Sequence, residues 1–145
     1  MNYSTNATQL IKTYEGLVTT AYECPGGVWT IGYGHTDGVK EGDTTTESGA
    51  CLLLKQDMNK VQTELNTLFD RDGVKATQNQ FDALMSFTYN LGINNLRSST
   101  LYAEFCEGNI DAAAAQFDRW VYAKGKILKG LVKRRAAEKK LFLAS

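Results

Sequence analysis

Glu15 is the residue whose type and position first suggest chemistry in this 145-residue chain. It stands at the end of a predicted short helix, where the negative end of the helix dipole disfavours a carboxylate and partial burial would favour the neutral acid further. A carboxylic acid that stays protonated near neutral pH is the proton donor that glycoside hydrolysis requires. The position of Glu15 alone also fits an ordinary glutamate on a helix surface. The residues that follow it must distinguish a catalytic acid from a surface side chain.

Two further polar side chains follow Glu15 at fixed distances. Cys24 stands nine positions later and Thr30 another six, directly before the glycine-rich segment Ile31-Gly32-Tyr33-Gly34-His35. A free thiol is mostly neutral at pH 7, so Cys24 acts as a base only where its surroundings favour the thiolate. A cysteine peptidase dyad of Cys24 and His35 is a second possibility, but no sequence context typical of a peptidase surrounds the pair.

The elements that must position these residues begin with a short helix and a hairpin. Apolar residues share one face of a helix predicted over residues 6–14. Strand-favouring residues then fill 18–22 and 28–33, and the turn signal Pro25-Gly26-Gly27 separates them. We therefore predict a β-hairpin that carries both the cysteine and the threonine.

The remainder of the chain is predicted to be helical. Apolar residues recur at helical spacing over residues 44–69, and Thr44 and Glu47 have the spacing of a capping box. Thr77 and Gln80 form a second capping box. Further helices are predicted over residues 77–91, 99–107, 110–123 and 128–143.

These elements predict one domain over residues 1–145. Its fold class is α+β and mostly helical, with two lobes. A small α+β lobe with the hairpin spans about residues 1–45, a long connecting helix about 45–70, and a helical C-terminal lobe about 71–145. A cleft between two such lobes is a usual place for a ligand site.

Taken together, these residues resemble the phage lysozyme family, glycoside hydrolase family 24. The family's signature is a glutamate, eight residues, an aspartate or cysteine, five residues and a threonine. Glu15, Cys24 and Thr30 match it without a gap. The resemblance covers about residues 10–142 and implies a lysozyme-like fold, with similar segments at 80–84, 89–92, 99–101 and 130–142.

The resemblance implies hydrolysis of the β-1,4 bond between N-acetylmuramic acid and N-acetylglucosamine in bacterial peptidoglycan, as in a phage endolysin that lyses its host. In the implied roles Glu15 protonates the leaving oxygen, the Thr30 hydroxyl holds the attacking water, and Cys24 stands on the other side of that water. Attack from the face opposite the leaving group inverts the anomeric carbon. Many family members carry aspartate where this chain has Cys24.

Four more residues are predicted to bind the substrate. Gly34 lets a sugar approach the backbone closely, and Tyr89 and Asn90 offer an aromatic face and an amide for an N-acetyl group. His35 is included with them, although a single histidine among glycines more often has its ring bonded to a carboxylate or to the backbone in a structural role. Tyr89 is equally consistent with ordinary helix packing.

Two other functions remain open at this point. A lytic transglycosylase would cut the same bond but close an anhydro ring instead of adding water. Thr30 favours hydrolysis, because a group that holds water serves no purpose in that reaction. A non-catalytic peptidoglycan-binding protein is the other alternative, since the common aspartate is absent.

Composition limits the cofactors and partners. Apolar residues make up 43% and charged residues 22% of the chain, which is typical of a globular protein. The three cysteines are widely spaced and odd in number, so they form no disulfide framework, and no metal-ligand spacing occurs. We expect a monomer that acts on peptidoglycan, with no metal, no organic cofactor and no nucleic acid.

The N-terminal residues are polar, and no apolar run approaches the length of a membrane span or signal sequence. We therefore expect the chain to stay in the host cytoplasm until lysis and then to act on the cell wall in the periplasm. That route requires a separate protein that opens the inner membrane.

Charge is unevenly distributed along the chain. The net charge is zero, but residues 124–145 carry +7 and residues 1–123 carry −7. A basic segment of this kind suits a weak contact with an anionic polymer or membrane surface, although a solvated helix face fits as well. Arg134 and Arg135 are candidates to neutralise acids, one of them near Glu15, and the sequence does not say which.

Overall fold

The computed structural model describes residues 1–24 and 26–144, and the predicted turn residue Pro25 lies outside them. Its elements follow one another in chain order as α1 (Thr5–Glu15), β1 (Val18–Glu23), β2 (Trp29–Gly32), α2 (Glu47–Asp72), α3 (Gln78–Leu91), α4 (Ile93–Arg97), α5 (Thr100–Cys106), α6 (Ile110–Gln116), β3 (Tyr122–Ala123), β4 (Lys126–Ile127) and α7 (Lys129–Leu143). The predicted α+β, mostly helical class is confirmed. The lobe boundaries near residues 45 and 70 stay a prediction.

The predicted hairpin is present at the N-terminal end of the fold. β1 pairs antiparallel with β2, so that Tyr22 lies opposite Thr30. β2 packs against α2. A Cβ added at Gly32 would lie 3.3 Å from the Ala50 Cβ, so the glycine allows this close approach. The hairpin is therefore seated on the first turns of α2.

Helix α3 is the centre of the helical part. All residues from 81 to 88 are buried, and the helix packs against α1, α2, α4 and α7. Its predicted capping box is confirmed, because the Thr77 hydroxyl accepts from the Gln80 amide N–H and the Gln80 side chain accepts from the Thr77 amide N–H. A helix buried over so many consecutive residues can hold side chains of other helices in fixed positions.

Aromatic rings close the core around α3. The Phe87 and Phe117 ring centroids lie 5.7 Å apart, and those of Phe117 and Phe142 lie 5.3 Å apart, both edge to face. Edge-to-face pairs at these distances add to the stabilisation from burial. These ring pairs pack α7, through Phe142, against the core at α3.

Two predictions about helix ends are wrong. Helix α2 begins at Glu47, and Thr46 rather than Thr44 caps it by accepting from the Gly49 amide. The helix predicted over 110–123 ends at Gln116, and a 3-10 turn and the β3–β4 hairpin follow it.

A turn signal explains the second of these errors. Lys124 and Gly125 have φ values of 51° and 77°, and two positive φ values define the tight turn that joins antiparallel strands. The short helix α4, directly after Gly92, was not predicted. In the described part of the chain, no helix combines the length and the apolar character that a membrane crossing needs.

Candidate active site

Glu15 is the last residue of α1, and its carboxylate is fixed by the other end of the chain. Arg134 on α7 donates from Nη1 to Glu15 Oε2 at 2.6 Å. The side chain of Arg134 is 3% exposed and that of Glu15 is 20% exposed. Glu15 therefore has one oxygen in a buried ion pair, while the carboxyl group keeps some contact with solvent.

Arg134 is itself held by a network inside the fold. Its Nη2 donates to the Ser86 carbonyl at 3.2 Å, and its Nε donates to the Ser86 hydroxyl at 3.3 Å and to Glu138 Oε2 at 3.4 Å. The Ser86 hydroxyl donates to the same Glu138 oxygen at 2.5 Å. Because the planar guanidinium is bound along several edges, its direction toward Glu15 is fixed.

Glu138 and Arg135 complete this network, and both are 0% exposed. Arg135 Nη2 donates to Glu138 Oε2 at 3.1 Å and to the Asn90 side-chain oxygen at 2.9 Å. Burial raises the pKa of the Glu138 carboxyl, while Arg135 and Arg134 oppose the rise. The structure thus decides which arginine meets Glu15: Arg134 does, and Arg135 pairs with Glu138.

The predicted hairpin carries both Cys24 and Thr30 and places their side chains in direct contact, while the implied arrangement with a water molecule between them stays a prediction. Cys24 Sγ lies 3.0 Å from Thr30 Oγ1, and Thr30 Oγ1 also donates to the Val28 carbonyl at 3.3 Å. Thr30 is 3% exposed, whereas Cys24 is half-buried. The single hydroxyl hydrogen of Thr30 serves one of these contacts at a time, and when it points to the Val28 carbonyl the Cys24 thiol donates to Thr30 Oγ1.

Tyr22 is a neighbour of this pair that sequence reasoning missed. It lies opposite Thr30 in the hairpin. Burial raises the pKa of its phenol, and the nearby Cys24 and Glu15 raise it further. Its position two residues before Cys24 in a strand could have placed it on the same face, because alternate strand residues share a face.

Gly34 lies directly against the Glu15 carboxylate. A Cβ at this position would stand 2.8 Å from Glu15 Oε1 and 3.7 Å from Tyr89 Cε1, and the residue has a φ of 87°. The Tyr89 hydroxyl donates to the Tyr33 carbonyl at 2.6 Å. Any residue with a Cβ at position 34 would collide with the Glu15 carboxylate, so the observed carboxylate position requires glycine here.

Both ring nitrogens of His35 are engaged, one with α2 and the other with the loop that follows the histidine. Nδ1 lies 2.8 Å from Asp57 Oδ2, and Nε2 lies 2.9 Å from the Asp37 carbonyl. His35 is 8% exposed. These bonds agree with the structural interpretation of the histidine, and a contact of His35 with substrate stays a prediction.

Of the remaining predicted binding residues, Tyr89 lies with Gly34 at one depression, whereas Asn90 contacts the arginine network. Gly34 and Tyr89 border a depression of about 190 Å³ together with Asp57 and Lys60. The Asn90 side-chain oxygen already accepts from Arg135, which leaves its NH₂ group for a ligand. In the described residues, no cluster of three or more side chains that could hold a metal occurs.

Comparisons with known proteins point to one family. The model of the family described as phage lysozyme matches residues 12–138. The endolysin of Acyrthosiphon pisum secondary endosymbiont phage 1 is 43% identical over 146 residues, with 98% of each chain covered. The endolysin of Bacillus phage B103 is 42% identical, and the chain spans 54% of its length.

Two solved structures have the same fold. The muramidase domain of SpmX from Asticaccaulis excentricus is 38% identical, with a TM-score of 0.91 and 99% of each chain covered. The endolysin from Escherichia coli O157:H7 phage FAHEc1 is 37% identical, with a TM-score of 0.85 over 99% of this chain and 94% of that one.

Proposed function

Because the chain belongs to the phage lysozyme family and is therefore a peptidoglycan-degrading enzyme of the glycoside hydrolase type, we propose that it hydrolyses the β-1,4 bond between N-acetylmuramic acid and N-acetylglucosamine. The observation that carries the proposal is the Glu15 carboxyl group, which Arg134 fixes through Oε2 and which Gly34 faces at Oε1. A general acid must be held within hydrogen-bond reach of the atom that it protonates, and a carboxyl group fixed in this way meets the first part of that requirement.

In the proposed mechanism Glu15 gives its proton to the leaving glycosidic oxygen. Thr30 Oγ1 and Cys24 Sγ, 3.0 Å apart, hold a water molecule that attacks the anomeric carbon from the opposite face. The water oxygen forms the new bond as the glycosidic bond breaks, so the carbon is inverted. In this step position 24 is the thiolate, which takes up the proton that the water loses and becomes the thiol.

The substrate contacts stay part of the proposal. Tyr89 would offer its ring to a sugar, and the NH₂ group of Asn90 would donate to an N-acetyl carbonyl. Gly34 and His35 line the strand beside Glu15, where the bond to be cut would lie. We further propose that the chain acts as an endolysin on the host wall, as the names of its relatives suggest, and that it does so as a monomer.

The test replaces the proton donor without changing its shape. Glu15→Gln should lower the rate of lysis by about 10²–10⁴, the usual contribution of a general acid. The assay follows the turbidity of chloroform-treated Gram-negative cells. The matched control is Glu41→Gln, at an exposed loop glutamate, which should retain the full rate. Full lysis by a folded Glu15→Gln variant would refute the assignment.

Product analysis distinguishes the alternative functions. Mass spectrometry of digested peptidoglycan should find reducing ends, because hydrolysis adds water to the anomeric carbon. Anhydro ends would instead identify a lytic transglycosylase. Binding to peptidoglycan without any released fragment would identify a non-catalytic binding protein.

A further inference from the structure

Exposed apolar side chains concentrate in one short part of the chain. Ten large apolar residues in the described residues are exposed, and half of them lie between positions 122 and 143. These five, which lie on the β3–β4 hairpin, on α7 and at the residue that joins them, are Tyr122, Ile127, Leu128, Val132 and Leu143. Exposed apolar side chains that cluster in this way mark an interaction surface more often than a plain solvated one.

The same part of the chain exposes only positive charge. Five exposed lysines lie on it, and its arginines Arg134 and Arg135 are buried. Glu138 is the one acidic residue between positions 119 and 144, and it is 0% exposed because it belongs to the arginine network. The lysines are Lys124, Lys126, Lys129, Lys133 and Lys140.

Helix geometry places these groups side by side. At 100° per residue, Lys129, Lys133 and Lys140 fall within about 40° of one another around α7, with Val132 and Leu143 beside them. Only Leu128 separates the hairpin from this helix, and its amide donates to the Val121 carbonyl at 3.0 Å, which closes the base of the hairpin. We call the hairpin 122–127 and the outward side of α7 the lysine-rich face.

We propose that the lysine-rich face binds the surface of a bilayer that contains anionic phospholipids. Interfacial binding requires lysines for the headgroups together with apolar side chains that enter the acyl boundary, and the face offers both. A soluble polyanion needs only the charges, so the exposed isoleucine, leucine and tyrosine favour a bilayer. The site lies outside the catalytic residues, and binding is measured without peptidoglycan.

The first experiment tests the charges by co-sedimentation with phosphatidylglycerol and phosphatidylethanolamine vesicles. Lys126, Lys129 and Lys133 are changed to Gln together. Each lysine near an anionic surface contributes about fivefold in affinity, so the triple variant should bind between about tenfold and a hundredfold more weakly. Phosphatidylcholine vesicles should bind neither protein.

A control triple variant separates the face from net charge. Lys40, Lys55 and Lys75 are also exposed and lie outside the face, and changing them to Gln removes the same total charge. This variant should bind vesicles like the original chain. An equal loss in both triple variants, or no binding of the original chain, would overturn the proposal. Circular dichroism and thermal unfolding check that each variant folds.

The apolar side chains are tested separately. Ile127→Ser should weaken vesicle binding by about fivefold or more, whereas Leu52→Ser, at a residue of similar exposure on α2, should not. Polyphosphate in solution tests the other class of partner. If it binds as tightly as the vesicles and Ile127→Ser has no effect, the face recognises anions in general and the bilayer assignment is wrong.

Discussion

Replacing Gly34 by alanine should displace the Glu15 carboxylate while changing the stability of the fold only modestly, so it tests whether the position of the carboxylate matters for activity. The new Cβ would stand 2.8 Å from Glu15 Oε1, whereas ordinary contact begins near 3.4 Å. The carboxylate must therefore retreat by about 0.6 Å. It is the far end of a flexible side chain, so the retreat costs little stability, but Arg134 opposes it through the 2.6 Å ion pair.

The magnitudes follow from these two effects. A displacement of about 1 Å in a catalytic group can lower the rate about a hundredfold, so Gly34→Ala should lose between about tenfold and a hundredfold. Its φ of 87° is unfavourable for alanine, which adds about 1–2 kcal/mol of destabilisation. Gly42 is the matched control, because its φ is 88° and nothing lies within 4 Å of an added Cβ.

The assay compares lysis rates and urea unfolding of the two variants. Both should lose a similar free energy of unfolding, while only Gly34→Ala loses activity and Gly42→Ala stays within about twofold of the original rate. Equal activity in the two variants would refute the argument that the Oε1 position matters. A much larger loss of stability in Gly34→Ala would show that the carboxylate cannot move.

Three further outcomes are expected. Glu138→Gln should lower the free energy of unfolding by about 3–5 kcal/mol in urea, because it leaves buried arginine charge unpaired, while Glu41→Gln should change it by less than about 0.5 kcal/mol. Burial first, then Asp57 and Glu15, raises the pKa of Tyr89. As the pH rises, the Tyr89 phenol therefore ionises in the unfolded chain, near pH 10, before it ionises in the folded chain. The contribution of the neutral phenol to the free energy of unfolding is present below about pH 10 and is lost progressively above it. The difference in the free energy of unfolding between the original chain and Tyr89→Phe, measured in urea, should narrow above about pH 10 by up to about 1.4 kcal/mol per pH unit, and a constant difference to pH 12 would contradict this. Cys24→Ser should lower the initial rate of peptidoglycan hydrolysis more than Cys24→Asp, and equal rates would show that position 24 is passive.

Local patterns account for the parts of the fold that were predicted correctly. The hairpin followed from strand-favouring residues on both sides of a turn signal, and the start of α3 followed from the Thr77 capping box. The wrong predictions of helix ends also depend on residues close together in the sequence. The helix predicted over 110–123 runs past its true end at Gln116 and up to the turn at Lys124-Gly125, where the glycine could have indicated a hairpin.

In the candidate site too, contacts between residues close in sequence could be predicted, whereas contacts between distant residues could not. Cys24 and Thr30 could be placed together, because a hairpin joins residues close in sequence. The partner of Glu15 could not be chosen, because Arg134 is 119 positions away and differs from Arg135 by 100° around α7. The spacing of Glu138 from both arginines was visible, but its burial depends on α3, which only the tertiary structure brings into place.

The contact between Arg134 and Glu15 can form only late in synthesis, because the two residues lie near opposite ends of the chain. The acid emerges from the ribosome early, on the first helix, and the arginine that fixes it lies on the last helix, α7. Since a chain is synthesised from its N-terminus, the carboxylate stays without its guanidinium until nearly the whole polypeptide has been made. Under the proposed mechanism, activity is expected only once α7 has been made, because a chain that stops short of α7 has Glu15 but not Arg134.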